Sequence, residues 1–297
     1  MVKQADYEGV CTSLRKVGLV EAPDFDALVG AYPHISRDTI AAIWSQDCVA
    51  RIRGAHGKHR SPKRLEDYAR RWRGGESLSS LGASIDFPPC SLARLLIPCL
   101  LGPEHQAKVS KILSQPELLL VDRDGPSTSD RAANHQGDGV EDGDGPLGRA
   151  GRARLARELD AICALDVVSS PIVTNVKRAV GLAHELFLYD ELRAAGLAFD
   201  SEDDLRRRGA PTTPDALLKI PFAVGGAVVH WIDSKASFGS QESFFSDGLR
   251  QFRKYVNRFG PGLVIYWFGY CADLSGVDDS ILIRTQFPTR EEILSIA

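Results

Sequence analysis

The sequence predicts an α/β layer domain behind an all-α N-terminal part, and three observations predict it. The first 121 residues place apolar side chains at helical spacing with polar faces between them. Further on, two apolar runs meet at Gly225-Gly226, as the strands of a tight hairpin do. The run "LVIYWFGY" then follows a helical segment and has no polar alternation, as expected of a central strand covered on both faces.

Taken in order, "FDALVGAYP", "SRDTIAAIWSQDCVARIRGAH" and "SPKRLEDYARRWRGG" read as helices. Ser36 and Ser61 are placed to cap them, and Pro62 suits a first helical position. In "ESLSSLGASIDFPPCSLARLLIPCLLG" a short helix through Leu78, Leu81 and Ile85 breaks at Asp86 to Pro89. A second begins near Pro89 and runs through Leu92, Leu95 and Leu96. Two helices about a tight turn give a helix-turn-helix-like outline, so residues 1–121 are read as one helical domain. Residues 122–151 are rich in Gly, Asp and Ser and nearly free of aliphatics, the composition of a disordered acidic linker. From 152 to 297 follow a helix at "RARLARELDAICALD", a longer one from Pro171 ending at Gly196, the hairpin, a helix at "SFFSDGLRQFRKYVNRFG", the central strand and a last strand at "SILIRTQF".

Composition excludes several classes. The six cysteines are scattered, without a C-x-x-C pair, which argues against a structural zinc site and a disulfide framework. The N-terminus has no apolar signal-like run, and the greasiest stretches are too short to span a bilayer. The expectation is a soluble intracellular protein with no membrane association.

The chemistry lies on the hairpin. Asp233 and Lys235 alternate onto one strand face, with Val228, Val229, Trp231 and Ile232 leading into them. Asp215 sits on the partner strand. Two close carboxylates repel, and one takes up a proton unless a cation lies between them. Magnesium suits such a pair, because it binds through one or two carboxylates plus water and phosphate. The plainer reading makes Asp215 a turn residue and Asp233–Lys235 a surface ion pair on an edge strand. Glu185 joins the candidates, since Leu182, Leu188 and Leu192 surround it on one helical stripe. His184 beside it reads as a structural histidine.

The phrases "TTPDALLKIPFAV", "HWIDSKASFG" and "NRFGPGLVIYWFGY" resemble the TPD-motif family of the PD-(D/E)xK, restriction-endonuclease-like nucleases. The resemblance covers about Pro171 to the C-terminus and extends more weakly over "AHGKHRSPKRLEDYARRW" and "DFPPCSLARLL". It implies a restriction-endonuclease-like core, a mixed sheet flanked by helices. It implies a catalytic set of Asp215, Asp233, Lys235 and Glu185, with Asp215, Asp233 and Glu185 as ligands of Mg2+ or Mn2+. It also implies a codanin-like protein partner and nucleic acid as substrate, with DNA ahead of RNA and branched structures by analogy. The scattered, unpaired-looking thiols are read as reduced, which places the protein in nucleus and cytoplasm. Gln251 and Tyr255 match a Gln-x-x-x-Tyr pattern of some exonuclease-like branches, against a reading as ordinary helix packing. The rival to an enzyme is a catalytically silent nuclease fold serving as a scaffold or nucleic-acid-binding adaptor.

The segment "RIRGAHGKHRSPKRLEDYARRWR" is strongly basic, and Arg70, Arg71 and Arg73 are expected to contact nucleic-acid phosphates. Strand register adds one constraint. With a two-residue loop and a regular ladder, Asp215 falls opposite Ala236, and Asp233 points to the other side of the sheet. A metal site needs an odd slip, placed either in a bulge or break near Ile220-Pro221 or in a loop with an odd residue count at Gly225-Gly226.

Overall fold

The computed structural model describes residues 1–121 and 147–295. In chain order its elements are α1 (Gln4–Leu14), α2 (Phe25–Ala31), α3 (Arg37–His59), α4 (Pro62–Arg73), α5 (Leu78–Ser84), α6 (Pro89–Leu101), α7 (Val109–Ser114), α8 (Gly148–Leu165) and α9 (Pro171–Ala194). Then come β1 (Phe199–Ser201), α10 (Glu202–Arg207), β2 (Ala216–Val224), β3 (Ala227–Lys235), α11 (Gln241–Ser243), α12 (Leu249–Phe259), β4 (Gly262–Tyr266), β5 (Ile281–Arg284) and β6 (Leu294–Ser295). The expected α/β architecture with a helical N-terminal region is present.

The division into units differs from a cut at residue 152. One unit holds residues 1–17, 23–47 and 176 onward; the other holds 18–22 and, among the described residues, 48–121 and 147–175. The disordered segment expected over 122–151 lies outside the described residues as far as 146, and from Gly148 the chain is helical.

The first unit is a mixed sheet in the order β1-β2-β3-β4-β5, with β6 on β2. The β1–β2–β3 pairs are antiparallel, and β3–β4–β5 are parallel. All five residues of β4 are buried, as the unbroken apolar run requires. One sheet face packs Ile232, Leu263 and Ile265 against Leu188 and Leu192 of α9. The other packs Trp231, Val264 and Tyr266 with Phe252 and Tyr255 of α12, and the same cluster takes in Val10 and Leu14 of α1, Leu28 of α2, and Ile40 and Ile43 of α3. The first three helices therefore build the sheet's core. Helical periodicity shows which face of a helix is apolar, but not what will cover it.

The second unit is helical. Trp72 of α4, Leu78 and Leu81 of α5, Leu96 and Ile97 of α6, and Leu155 and Leu159 of α8 share one cluster. A polar knot fixes α8 there. Glu158 Oε2 accepts from Trp72 Nε1 at 3.0 Å and from Leu78 N at 2.9 Å, and the Arg154 guanidinium lies 4.4 Å over the Trp72 ring. The helices α5 and α6 meet at 116° through a turn in which Asp86 has φ 48°, so the expected helix-turn-helix-like outline is there. A DNA-reading second helix is not. Eight of the thirteen α6 residues are buried, and Arg94 is engaged with the Ser169 carbonyl at 2.9 Å; the helix offers no polar face to a groove. Ser36 caps α3 by accepting from Thr39 N at 3.1 Å, whereas Ser61 occupies its cap position without a side-chain bond. Among the described residues no single helix is long and apolar enough to cross a membrane; the α5–α6 pair passes only as a bent pair.

Candidate active site

The site begins with the hairpin's register. Val224 faces Ala227 across Gly225-Gly226, whose φ values of 57° and 81° suit a tight two-residue turn. Pairing is regular to Phe222–Val229 and resumes at Leu217–Trp231. Between those pairs β2 advances five residues and β3 only two, a slip of three. The slip spans Ile220-Pro221, and Ile220 stands exposed. Its odd count changes the face of β3: Val229 and Ile232 lie in the core shared with α9, and Trp231 lies in the other. Continued by one residue, the resumed register sets Asp215 opposite Asp233 on one face.

Asp233 is fully buried. Its Oδ2 accepts from Gln251 Nε2 at 3.3 Å. Its Oδ1 accepts no hydrogen bond, and Lys235 Nζ lies 2.5 Å away as an ion-pair contact. Asp215 is held from behind, with Oδ2 accepting from Ser234 N at 2.7 Å and its carbonyl accepting from Tyr189 OH at 3.1 Å and Glu202 N at 3.2 Å. Gln251 spans the pair, because its Oε1 accepts from Lys235 Nζ at 3.4 Å while its Nε2 lies 2.6 Å from Tyr255 OH. Tyr255 OH also donates to the Thr213 carbonyl at 3.3 Å. Gln251 and Tyr255 thus face the carboxylates from α12, one helical turn apart.

Burial pushes the Asp215 carboxyl well above the usual carboxylate range, and the charge of Asp233 adds to it. Burial also raises Asp233, against the opposing pull of Lys235. Glu185 is raised by burial and then by the nearby Glu202 and Asp233 charges. Burial alone would lower Lys235, but attraction to Asp233, Asp215 and Glu185 outweighs it and the ammonium is held protonated. Three carboxyls that resist ionisation converge around one cation, as expected of a site short of positive charge.

Among the described residues, no group of three or more His, Cys, Asp or Glu side chains is arranged as a metal cage. The donors still fit magnesium, which needs only one or two carboxylates and fills its shell with water and phosphate. Asp233 Oδ1 already meets the Lys235 ammonium, so the fit rests on the two facing carboxylates, whose combined charge a single ammonium does not balance.

Glu185 sits at the margin of its stripe rather than inside it, since Leu188 and Leu192 are buried and Leu182 is exposed. His184 directs Nδ1 to the Val180 carbonyl at 2.8 Å and packs on aromatic rings, the structural role expected. Arg70, Arg71 and Arg73 belong to the helical unit. Arg71 is engaged by Glu76 (2.8 and 2.7 Å) and Ser84, and Arg70 pairs with Asp67. Sequence reasoning missed Ser234 N, Tyr189 and Glu202 as the groups that seat Asp215. The box Ser201-x-x-Asp204, which starts α10, was the local signal that Glu202 opens a helix beside the hairpin.

Fold and site together define an α/β protein of nuclease-like architecture, with a half-buried Asp215, a buried Asp233 and the Lys235 ammonium at the mouth of a slipped hairpin. A family profile described as "Protein of unknown function TPD sequence-motif" matches residues 151–287. The chain is 34% identical over 97% of its length to the CDAN1-interacting nuclease 1 of Mus musculus, covering 96% of that protein. It is 34% identical to that of Danio rerio over 87% of the chain and 80% of the relative, and 33% identical to that of Homo sapiens over 87% and 85%. The chain belongs to this TPD-motif family of CDAN1-interacting nuclease 1 proteins. No solved structure matches it.

Proposed function

We propose that the chain is a divalent-metal-dependent nuclease of the PD-(D/E)xK type, hydrolysing phosphodiester bonds of nucleic acid, DNA ahead of RNA, and working with a codanin-like partner in nucleus and cytoplasm. The observation that carries the reading is the three-residue slip. It sets Asp215 opposite a fully buried Asp233, two carboxylates with the single ammonium of Lys235 beside them. The names of the relatives support the nuclease activity and the codanin link.

In this reading Asp215, Asp233 and Glu185 would hold magnesium, or manganese in its place. The cation would supply neutralising charge for a phosphoryl oxygen and an acidified water. The rest falls to the chain's own side chains. Lys235 keeps its proton and presents a fixed positive charge to the phosphate. Gln251 bonds both Asp233 and Lys235 and is itself fixed by Tyr255. Arg70 and Arg73 supply non-specific phosphate affinity.

The test is a panel of labelled single-stranded, duplex, flap and four-way DNA and RNA substrates with magnesium or manganese, comparing wild type with Asp233→Ala. Cleavage by the wild type that needs metal and is lost in the variant supports the reading. Equal cleavage by both, or none by either, refutes it.

A further inference from the structure

Four aromatic rings gather beside the carboxylates without any part in the chemistry above. On α9, His184 lies 5.5 Å from the Trp267 ring and 5.3 Å from the Phe268 ring, and Phe187 meets Trp267 edge-on at 5.3 Å. Glu185 lies between His184 and Phe187 in the chain. On the sheet side, Trp267 N donates to the Lys235 carbonyl at 3.1 Å, and Trp267 Nε1 donates to Ser234 Oγ at 2.8 Å. The cluster is therefore tied to both elements that carry candidate catalytic groups. It is open to solvent: Phe187 is 49% exposed, and His184, Trp267 and Phe268 are partly so. A contiguous group of half-bare aromatic rings rimmed by polar groups marks an interaction surface. His184 is pinned by its Nδ1 bond to the Val180 carbonyl, so its ring does not swing away. Arg178 lies exposed two turns before Glu185 on the same helical face, about 10 Å along the axis, where a neighbouring phosphate would need a cation.

We propose that His184, Phe187, Trp267 and Phe268 form a stacking platform for an unpaired nucleobase adjoining the scissile phosphate, so that the substrate is single-stranded, or locally unpaired, at the cut. The proposal rests on the nuclease reading for its place but on the aromatic geometry for its content. Ring faces accept any base, so the platform selects for an accessible base and not for a sequence. Duplex DNA, whose bases are already stacked, gains nothing from it.

The probe is a fluorescein-labelled twelve-nucleotide DNA single strand, with a matched strand carrying abasic sites at its centre. Binding is followed by anisotropy on the full chain carrying Asp233→Ala, with and without Phe187→Ala. The intact strand is expected to bind, and Phe187→Ala to weaken it about tenfold. The abasic strand is expected to bind more weakly and to be indifferent to Phe187. Phe187→Trp should retain binding and Phe187→Leu should not, which separates stacking from mere apolar cover. Equal affinity for intact and abasic strands, or indifference of the intact strand to Phe187→Ala, overturns the proposal. Cleavage by the otherwise wild-type chain is read separately. Metal-dependent cleavage with no base dependence removes the platform and leaves the nuclease. Base-dependent binding without any cleavage removes the nuclease and leaves the platform.

Discussion

Gly262→Ala is the substitution that most directly tests how β4 supports the site. Gly262 opens β4 against the fully buried Trp231. A methyl at 262 would stand 2.6 Å from Trp231 Nε1 and closer still to Cε2 and Cδ2. The indole cannot yield freely. It stacks on Phe252 at 6.2 Å, meets Tyr255 edge-on at 5.1 Å, and donates from Nε1 to the Gly260 carbonyl at 2.8 Å. Overpacking of this kind costs about 1–3 kcal/mol, and loss of the Nε1 bond adds about 1 kcal/mol, giving about 3 kcal/mol in all. For a unit of this size that is a fall in Tm of roughly 6–12 °C. Displaced indole pushes Tyr255, and through it Gln251, so metal-dependent cleavage should fall as well. Gly181→Ala is the control. A methyl there, in mid-α9, meets nothing within 4 Å, and alanine is better than glycine in a helix by about 1 kcal/mol, so Tm should rise. Thermal unfolding followed by circular dichroism reads both. If Gly262→Ala melts within a degree of wild type, the packing reasoning about Trp231 is wrong.

Without metal at pH 7, Asp215→Asn should melt above wild type, because it removes a carboxylate that burial and Asp233 both oppose; millimolar magnesium should raise the wild-type Tm and leave the variant unmoved. Glu158→Ala should cost about 3 kcal/mol, since it leaves Trp72 Nε1 and Leu78 N without an acceptor, and urea titration checks it. Asp200 is held down to about 2, first by Arg208 and then by Lys219. A depressed carboxylate stabilises the fold above its unfolded value, and that stability is lost as pH falls through the folded one. Lys219→Met should therefore remove about 1 kcal/mol, after screening, at pH 7, with the gap closing between pH 4 and 2 in acid titrations. Arg70→Glu and Arg73→Glu should lower the salt slope of DNA binding, whereas Arg71→Glu should lower stability by breaking the Glu76 pair.

The hairpin was legible in detail because its constraints are local. Two glycines fix the loop, Pro221 cannot donate to a ladder, and parity alone demands an odd slip if Asp215 and Asp233 are to meet. The bulge falls where proline allows it, although parity does not fix its size, which is three residues rather than one. Gln251 and Tyr255 were ambiguous for the opposite reason: one turn of helix suits both a packing face and a site face, and only the position of β3 decides. The unit boundaries were not legible. Val10 packs into a cluster with Tyr270, and Leu155 with Leu96, contacts between segments far apart in the chain that no periodicity announces. Arg71 read as a free cation because Glu76 lies beyond the end of α4, outside the helical spacings that flag ion pairs.

The interleaving of α1–α3 with the sheet has a consequence for how this protein is made. Val2 N donates to the Tyr270 carbonyl, and Ile43 of α3 shares a core with Ile283 of β5. On a translating ribosome the first helices emerge with their apolar faces bare, and the strands that cover them arrive about 240 residues later. At about 5–20 residues per second that is a wait of roughly ten to fifty seconds. The helical unit, by contrast, has its whole cluster in hand once Ile162 has been added. It can close while the N-terminal helices are still waiting, so the order of folding runs against the order of synthesis.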